Sequence, residues 1–228
     1  DLLDTGKVER NKIVGEAELV AALDEVLGSE LMRKMALRVL PPSHSAVAPQ
    51  RLFDFAMSGD LKEDVRGEAV RSLANSTDAA AAGLLAVVAT ESKLPAAIRA
   101  DALAGLNPSV ADQRELLSRL ASDGSPQICT EAQRVIARGT AEAVSNQPAA
   151  ADTAAWIGTA AQRSAASPDA GWRIFFGQHA ARCANCHRLD GRGADVGPDL
   201  TGIALRMSPE RVAQSILEPS REIAPYFV

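Results

Sequence analysis

One apolar pattern recurs along the first part of the chain: Met32, Ala36 and Leu40, then Val65, Ala69 and Leu73, then Ile98, Ala102 and Leu106, then Ile128, Ala132 and Ile136. Residues four apart share one face of a helix, so each set marks an apolar stripe with a small residue at its centre. An arginine follows the first member in three copies, at Arg33, Arg66 and Arg99. Ahead of each stripe lies a second apolar segment, marked by Val20 and Leu23, by Phe53 and Met57, by Leu84, Leu85 and Val88, and by Leu116, Leu117 and Leu120. Turn formers separate the segments: Pro41-Pro42, Gly59-Asp60, Pro95, Asn107-Pro108 and Gly124-Ser125-Pro126. The pattern predicts helical hairpins over residues 1–140. A lone hairpin cannot bury its apolar face, so neighbours must stack into a short curved solenoid.

Composition supports the same class. Hydrophobic residues make up 46% of the 228, yet aromatics only 4%, because alanine and leucine carry the apolar content. Alanine favours helices and lets them approach closely. We therefore expect an all-α protein whose repeats are HEAT-like rather than TPR-like, since the aromatic TPR signature is missing. Such an array serves either as a scaffold between functional parts or as a docking surface.

The net charge of -5 is mild, and no basic patch with interleaved aromatics is seen, which argues against a nucleic-acid partner. No apolar run approaches the ~20 residues of a membrane span. The sequence starts at Asp1 without methionine or signal peptide, and the expectation is a processed product or a fragment. Residues 141–166 turn to alanine, serine, threonine and glutamine, with Trp156 and Ile157 the main large apolar residues, and read as an Ala-rich linker with room for one docked helix. Cys129 reads as a small core residue and His44 as a solvated turn residue.

The chemistry lies in residues 167–228. Cys183-Ala184-Asn185-Cys186-His187 is C-x-x-C-H, the attachment signal of a c-type haem. Thiols three apart on a helical turn share a face, which suits two thioethers to one porphyrin, with His187 as the proximal iron ligand. Zinc lacks a second ligand pair, because Cys129 is the one other cysteine. A redox dithiol would follow a buried strand, whereas Trp172, Phe175, Phe176, His179 and Cys183 recur at helical spacing. One covalent haem c is expected. Haem c is attached outside the bacterial cytoplasm, which makes a periplasmic or otherwise exported location the expectation.

Ser167-Pro168-Asp169 opens the helix that leads to the motif, and Ser208-Pro209-Glu210 opens a later one with Val212, Ile216 and Leu217 on its apolar face and Pro219 at its end. Between them lie Gly191-Arg192-Gly193 and Gly197-Pro198-Asp199-Leu200-Thr201-Gly202, a path able to pass close to a flat ligand. The segment from Phe175 to Phe227 resembles the cytochrome c family, in particular the planctomycete-type haem-binding domain, where C-x-x-C-H is followed by G-P-D-L-T-G, a helix and P-S-R-E-I-A-P-Y. The resemblance implies that Pro198 and Leu200 join the cofactor-binding set, with the Pro198 carbonyl accepting the Nδ1–H of His187. It also implies a distal methionine in a late Met-Pro loop that this sequence does not reach, so the expected cytochrome domain is incomplete. Met207 is the one methionine after the motif and hence the remaining distal candidate. His179, one helical turn before Cys183, is expected beside the porphyrin edge.

The expected function is one-electron transfer, with a redox partner protein or a fused dehydrogenase domain as donor. The alternatives are a haem enzyme or gas-binding sensor with an open distal site, and a repeat-based interaction module with a structural haem.

Overall fold

The computed structural model describes residues 25–39, 48–122, 125–138, 147–149, 152–162, 167–177, 179–219 and 221. Val20, Leu23, Leu40, Pro41-Pro42, His44 and Gly124 lie outside the described residues, as does the chain after Arg221. Two compact units result: Asp1–Gly139 with Gly177–His179, and Thr140–Phe176 with Ala180–Val228.

The regular elements of the first unit are all helices among its described residues. Its helices are α1 (Glu30–Val39), α2 (Pro49–Met57), α3 (Glu63–Ala74), α4 (Ala80–Thr90), α5 (Ala96–Ala104), α6 (Ala111–Leu120) and α7 (Pro126–Ala137). Prolines mark starts, where a missing N–H costs nothing: Pro49 and Pro126 sit in the first turn of α2 and α7, and Pro95 caps α5. Helices α2 and α3, α4 and α5, and α6 and α7 pack as hairpins, while α1, α3, α5 and α7 pack in sequence as one layer. The central alanines are where those second helices meet. Ala36 is 4% exposed, and Ala69, Ala102 and Ala132 are fully buried. Leu37, Leu52, Leu73, Leu103 and Leu117 fill the space around them, each contributing about 1.5–3 kcal/mol by leaving water.

Two polar ladders accompany this core. In three repeats the arginine turns back to carbonyls at the end of the preceding helical segment: Arg66 Nε donates to Ala56 at 2.9 Å, Arg99 Nε to Ala89 at 2.9 Å, and Arg33 Nε to Leu27 at 2.6 Å. A cation there satisfies orphan acceptors and meets the negative end of the helix dipole. In the last repeat the position belongs to Cys129, whose thiol donates to Ala121 at 2.8 Å. Cys129 is thus half-buried and polar-bonded, not the apolar core residue expected, because it fills the place of an arginine. The second ladder is acidic. Glu68, Asp101 and Glu131, each just before a central alanine, are buried, and Arg71 joins two repeats by pairing with Asp101 at 2.7 Å and Glu68 at 3.5 Å.

The second unit holds α8 (Thr153–Gln162), α9 (Pro168–Phe176), a 3₁₀ turn (Cys183–Asn185), β1 (Arg188–Leu189), β2 (Arg192–Gly193), α10 (Ile203–Arg206) and α11 (Pro209–Leu217). Helix α8 occupies much of the Ala-rich stretch 141–166 and packs on α11, while α9 packs on the 3₁₀ turn. Two-residue strands are a small departure from a purely helical unit. They pair antiparallel, Arg188 with Gly193 and Leu189 with Arg192, around Asp190 and Gly191, both at positive φ (51° and 75°). Successive positive φ values make the tight hairpin that matches strand twist.

Helix α9 ends at Phe176, short of His179, with Gly177 following it. Arg182 then adopts a left-handed conformation (φ 56°), so no continuous helix carries His179 and Cys183. The one-turn spacing that set His179 beside the porphyrin edge therefore fails.

Candidate cofactor site

The motif starts from that left-handed Arg182, which redirects the chain into the 3₁₀ turn. The Cys183 carbonyl accepts from the Cys186 N–H at 3.1 Å and from the His187 N–H at 2.9 Å. This tight winding holds the two thiols and the imidazole on one short turn. Cys183 is half-buried and Cys186 exposed, and neither is in a disulfide. Ala184, between them, is buried.

The β1–β2 hairpin then folds the chain back across the turn. Ala194 N–H reaches the Ala184 carbonyl at 2.9 Å, and Val196 and Gly197 N–H both reach the Cys186 carbonyl, at 3.1 and 2.7 Å. Leu200 N–H donates to Arg188 O at 2.8 Å, so Leu200 lies half-buried along the same path. The result is a frame that brings Pro198 to His187. Their contact is 2.9 Å, from the imidazole Nδ1 to the Pro198 carbonyl. A carbonyl has no proton to give, so Nδ1 carries the hydrogen and Nε2 keeps its lone pair, ready to bind a metal.

Residues 169–227 match the family model for cytochrome c. Comparison with curated proteins and with solved structures returned no match. The matched segment is a c-type cytochrome domain at the C-terminal end of a mostly helical chain. Cytochrome c domains bind haem c covalently and serve haem-based electron transfer.

The residues present in the cytochrome c domain fit that group. Two free thiols, an imidazole with the correct tautomer and a glycine-rich backbone supply attachment, ligation and close approach. Apolar side chains stand exposed nearby in sequence, among them Val196 (67%) and Leu205 (93%), as suits a unit that packs around a large flat apolar partner. The described residues contain no cluster of three or more His, Cys, Asp or Glu suited to an isolated metal ion. No helix among them is long and apolar enough to cross a membrane.

Met207 stands outside the hydrogen-bonded frame. It closes α10, its N–H on the Ile203 carbonyl at 2.9 Å and its side chain 41% exposed, directly before Ser208, whose hydroxyl accepts from the Arg211 N–H at 3.3 Å. The Ser208 hydroxyl also holds the Glu210 carboxyl below the usual range, as expected for an acid in a capped first turn.

Several contacts of the cytochrome c domain were not legible from the motif. Thr201 ties two turns together: its hydroxyl accepts from the Asp190 N–H at 2.8 Å and hydrogen-bonds the Asp199 carboxylate, while its own N–H donates to Asp199 Oδ1 at 2.7 Å. Those bonds from Thr201, with weaker help from Arg188 and Arg206, hold the Asp199 carboxyl below its ordinary value. Arg206 donates to the carbonyls of Asp199 (3.1 Å) and Thr201 (3.0 Å). On the other side of the turn, Arg192 lies 4.9 Å from the Phe176 ring centroid and 5.8 Å from that of Trp172, a cation–π stack that joins β2 to α9. In sequence, only the alternation of aromatic and basic residues around the motif hints at it.

Proposed function

We propose that the C-terminal unit holds one haem c, linked through thioethers to Cys183 and Cys186 and ligated by Nε2 of His187, and that it passes single electrons between redox partner proteins. The Nδ1–H of His187 donated to Pro198 is the observation that carries this reading. When bound, the haem supplies a ferric–ferrous couple that exchanges one electron. The residues do the rest. Cys183 and Cys186 fix the cofactor without a deep pocket, His187 presents one nitrogen in one tautomer, and Pro198 and Leu200 belong to the segment that closes over that side.

Finer features follow as part of the same proposal. The first unit is a HEAT-like scaffold, supported by hairpins that pack in sequence and by the repeated arginine bonds. The electron donor is a dehydrogenase-type protein, associated or fused, and the site of action is the periplasm or another exported compartment. The domain is of the planctomycete type, as the G-P-D-L-T-G run after the motif suggests.

Mass spectrometry of acid-denatured protein, produced with the machinery for haem c maturation, tests the attachment. We expect the porphyrin to stay on the chain, and to be lost from the Cys183→Ala, Cys186→Ala double variant. Release of free haem from the unaltered chain refutes the c-type assignment. A reversible one-electron redox titration tests the function, and a haem silent over the biological range refutes it.

A further inference from the structure

The geometry points to Gly197 as the residue that sets the rotation of the His187 ring. This rests on the haem reading above, but it concerns a contact between two residues of the chain itself. A Cβ built on Gly197 would lie 2.6 Å from His187 Cε1, 2.8 Å from Nδ1 and 3.2 Å from Nε2. Backbone therefore backs the face of the imidazole beside the atom, Nδ1, that Pro198 holds by hydrogen bond.

That backing is stiff. The Gly197 N–H donates to the Cys186 carbonyl at 2.7 Å, next to the Val196 bond to the same oxygen, and the following residue supplies the acceptor for Nδ1. An imidazole hydrogen-bonded at one edge and backed on one face by a fixed backbone has little torsional freedom left. Its Nε2 lone pair is aimed in one direction, and the ring plane is fixed about that direction. Orientation of a ligating histidine is one of the levers by which a protein tunes an iron centre.

Glycine is required here for space and not for backbone freedom. Among the described residues the positive-φ glycines are Gly191, Gly193 and Gly202, and Gly197 is not one of them. Alanine at Gly197 thus meets the ring without backbone strain of its own. Either the ring turns or the Gly197–Pro198 backbone retreats, and both loosen the 2.9 Å bond. Gly197 is a positioning residue, acting on the iron only through His187.

The experiment compares unaltered protein with Gly197→Ala, both shown by denaturing mass spectrometry to carry covalent haem. Gly171→Ala serves as control, since a Cβ there meets nothing within 4 Å. Proton NMR of the ferric form reads the haem methyl resonances, whose order and spread follow the plane of the axial imidazole. We expect the pattern and the reduction potential to shift in Gly197→Ala and to stay unchanged in Gly171→Ala. An unchanged methyl pattern in a Gly197→Ala protein that carries haem overturns the inference. Should that variant not fold, the unaltered protein decides the matter by a nuclear Overhauser contact between Gly197 Hα and His187 Hε1. Its presence in the ferrous form supports the inference and its absence overturns it. The same cross-peak is read in the haem-free chain, so failure of haem attachment and failure of the ring contact are told apart.

Discussion

Arg99 donates its Nε to the carbonyl of Ala89 at 2.9 Å, across the turn between two helices of one hairpin. Arg66 makes the same bond to Ala56, and Cys129 makes its smaller counterpart to Ala121. The bond closes the end of one helix with the start of the next. Replacing Arg99 by Met keeps the aliphatic stem and removes the donor, and should lower stability by about 1.5–3 kcal/mol, the range for a hydrogen bond from a charged group. Cys129→Ala, which removes a weak neutral donor, should cost less. Urea denaturation of the two variants measures the difference, and equal losses would show that the charge at the helix end contributes nothing.

Ala102 is fully buried where α5 meets its neighbours in the layer of second helices. Ala102→Leu adds bulk to a contact with no room, and should destabilise the first unit by about 1–3 kcal/mol. The haem spectrum should stay the same, since Ala102 belongs to the first unit and the haem motif to the second. Thermal melts followed by circular dichroism supply the test, and an unchanged midpoint would mean that the stripe is not a packing seam.

The acid response of the G-P-D-L-T turn follows from Asp199. Its carboxyl is held below the ordinary aspartate value, first by the Thr201 hydroxyl. The contribution to stability is therefore complete above the ordinary aspartate range and is lost as pH falls through the lower folded value. Thr201→Val removes the hydroxyl, and the Asp199 titration should move up toward its ordinary position. Carboxyl NMR of Asp199 in both proteins reports the change. An Asp199 that titrates identically in the variant would show that the hydroxyl bond is not formed in solution.

Met207→Leu conserves volume at a residue already 41% exposed, and should cost less than ~1.5 kcal/mol. We expect the spin state and reduction potential of the haem-loaded protein to remain nearly unchanged. Conversion from low-spin to high-spin on this substitution would instead make Met207 the distal iron ligand.

Much of the first unit was legible because its signals are local and periodic. Ala36, Ala69, Ala102 and Ala132 mark the buried seam by helical spacing alone, and Pro95 and Pro126 mark breaks between helices by what proline cannot do. Glu68, Asp101 and Glu131 escaped the reading, since acidic residues at helical positions usually face water. Only stacked repeats bring Arg71 within 2.7 Å of Asp101, thirty residues along the chain. The extension of α9 to His179 failed for the converse reason: apolar periodicity ran on, but Gly177 and the left-handed Arg182 broke the helix it implied.

For the cofactor site, the sequence by itself determined the reacting atoms. C-x-x-C-H at Cys183, Cys186 and His187 names two thiols and an imidazole whatever the fold around them. It could not determine which nitrogen of His187 faces outward, nor how the ring is turned. Those were decided by the return of the chain through the Asp190–Gly191 hairpin, which sets the Pro198 carbonyl on Nδ1 and the Gly197 backbone against the ring face. Tautomer and rotation depend on contacts of a few ångströms between residues about ten positions apart, and such contacts exist only once the backbone has folded back on itself.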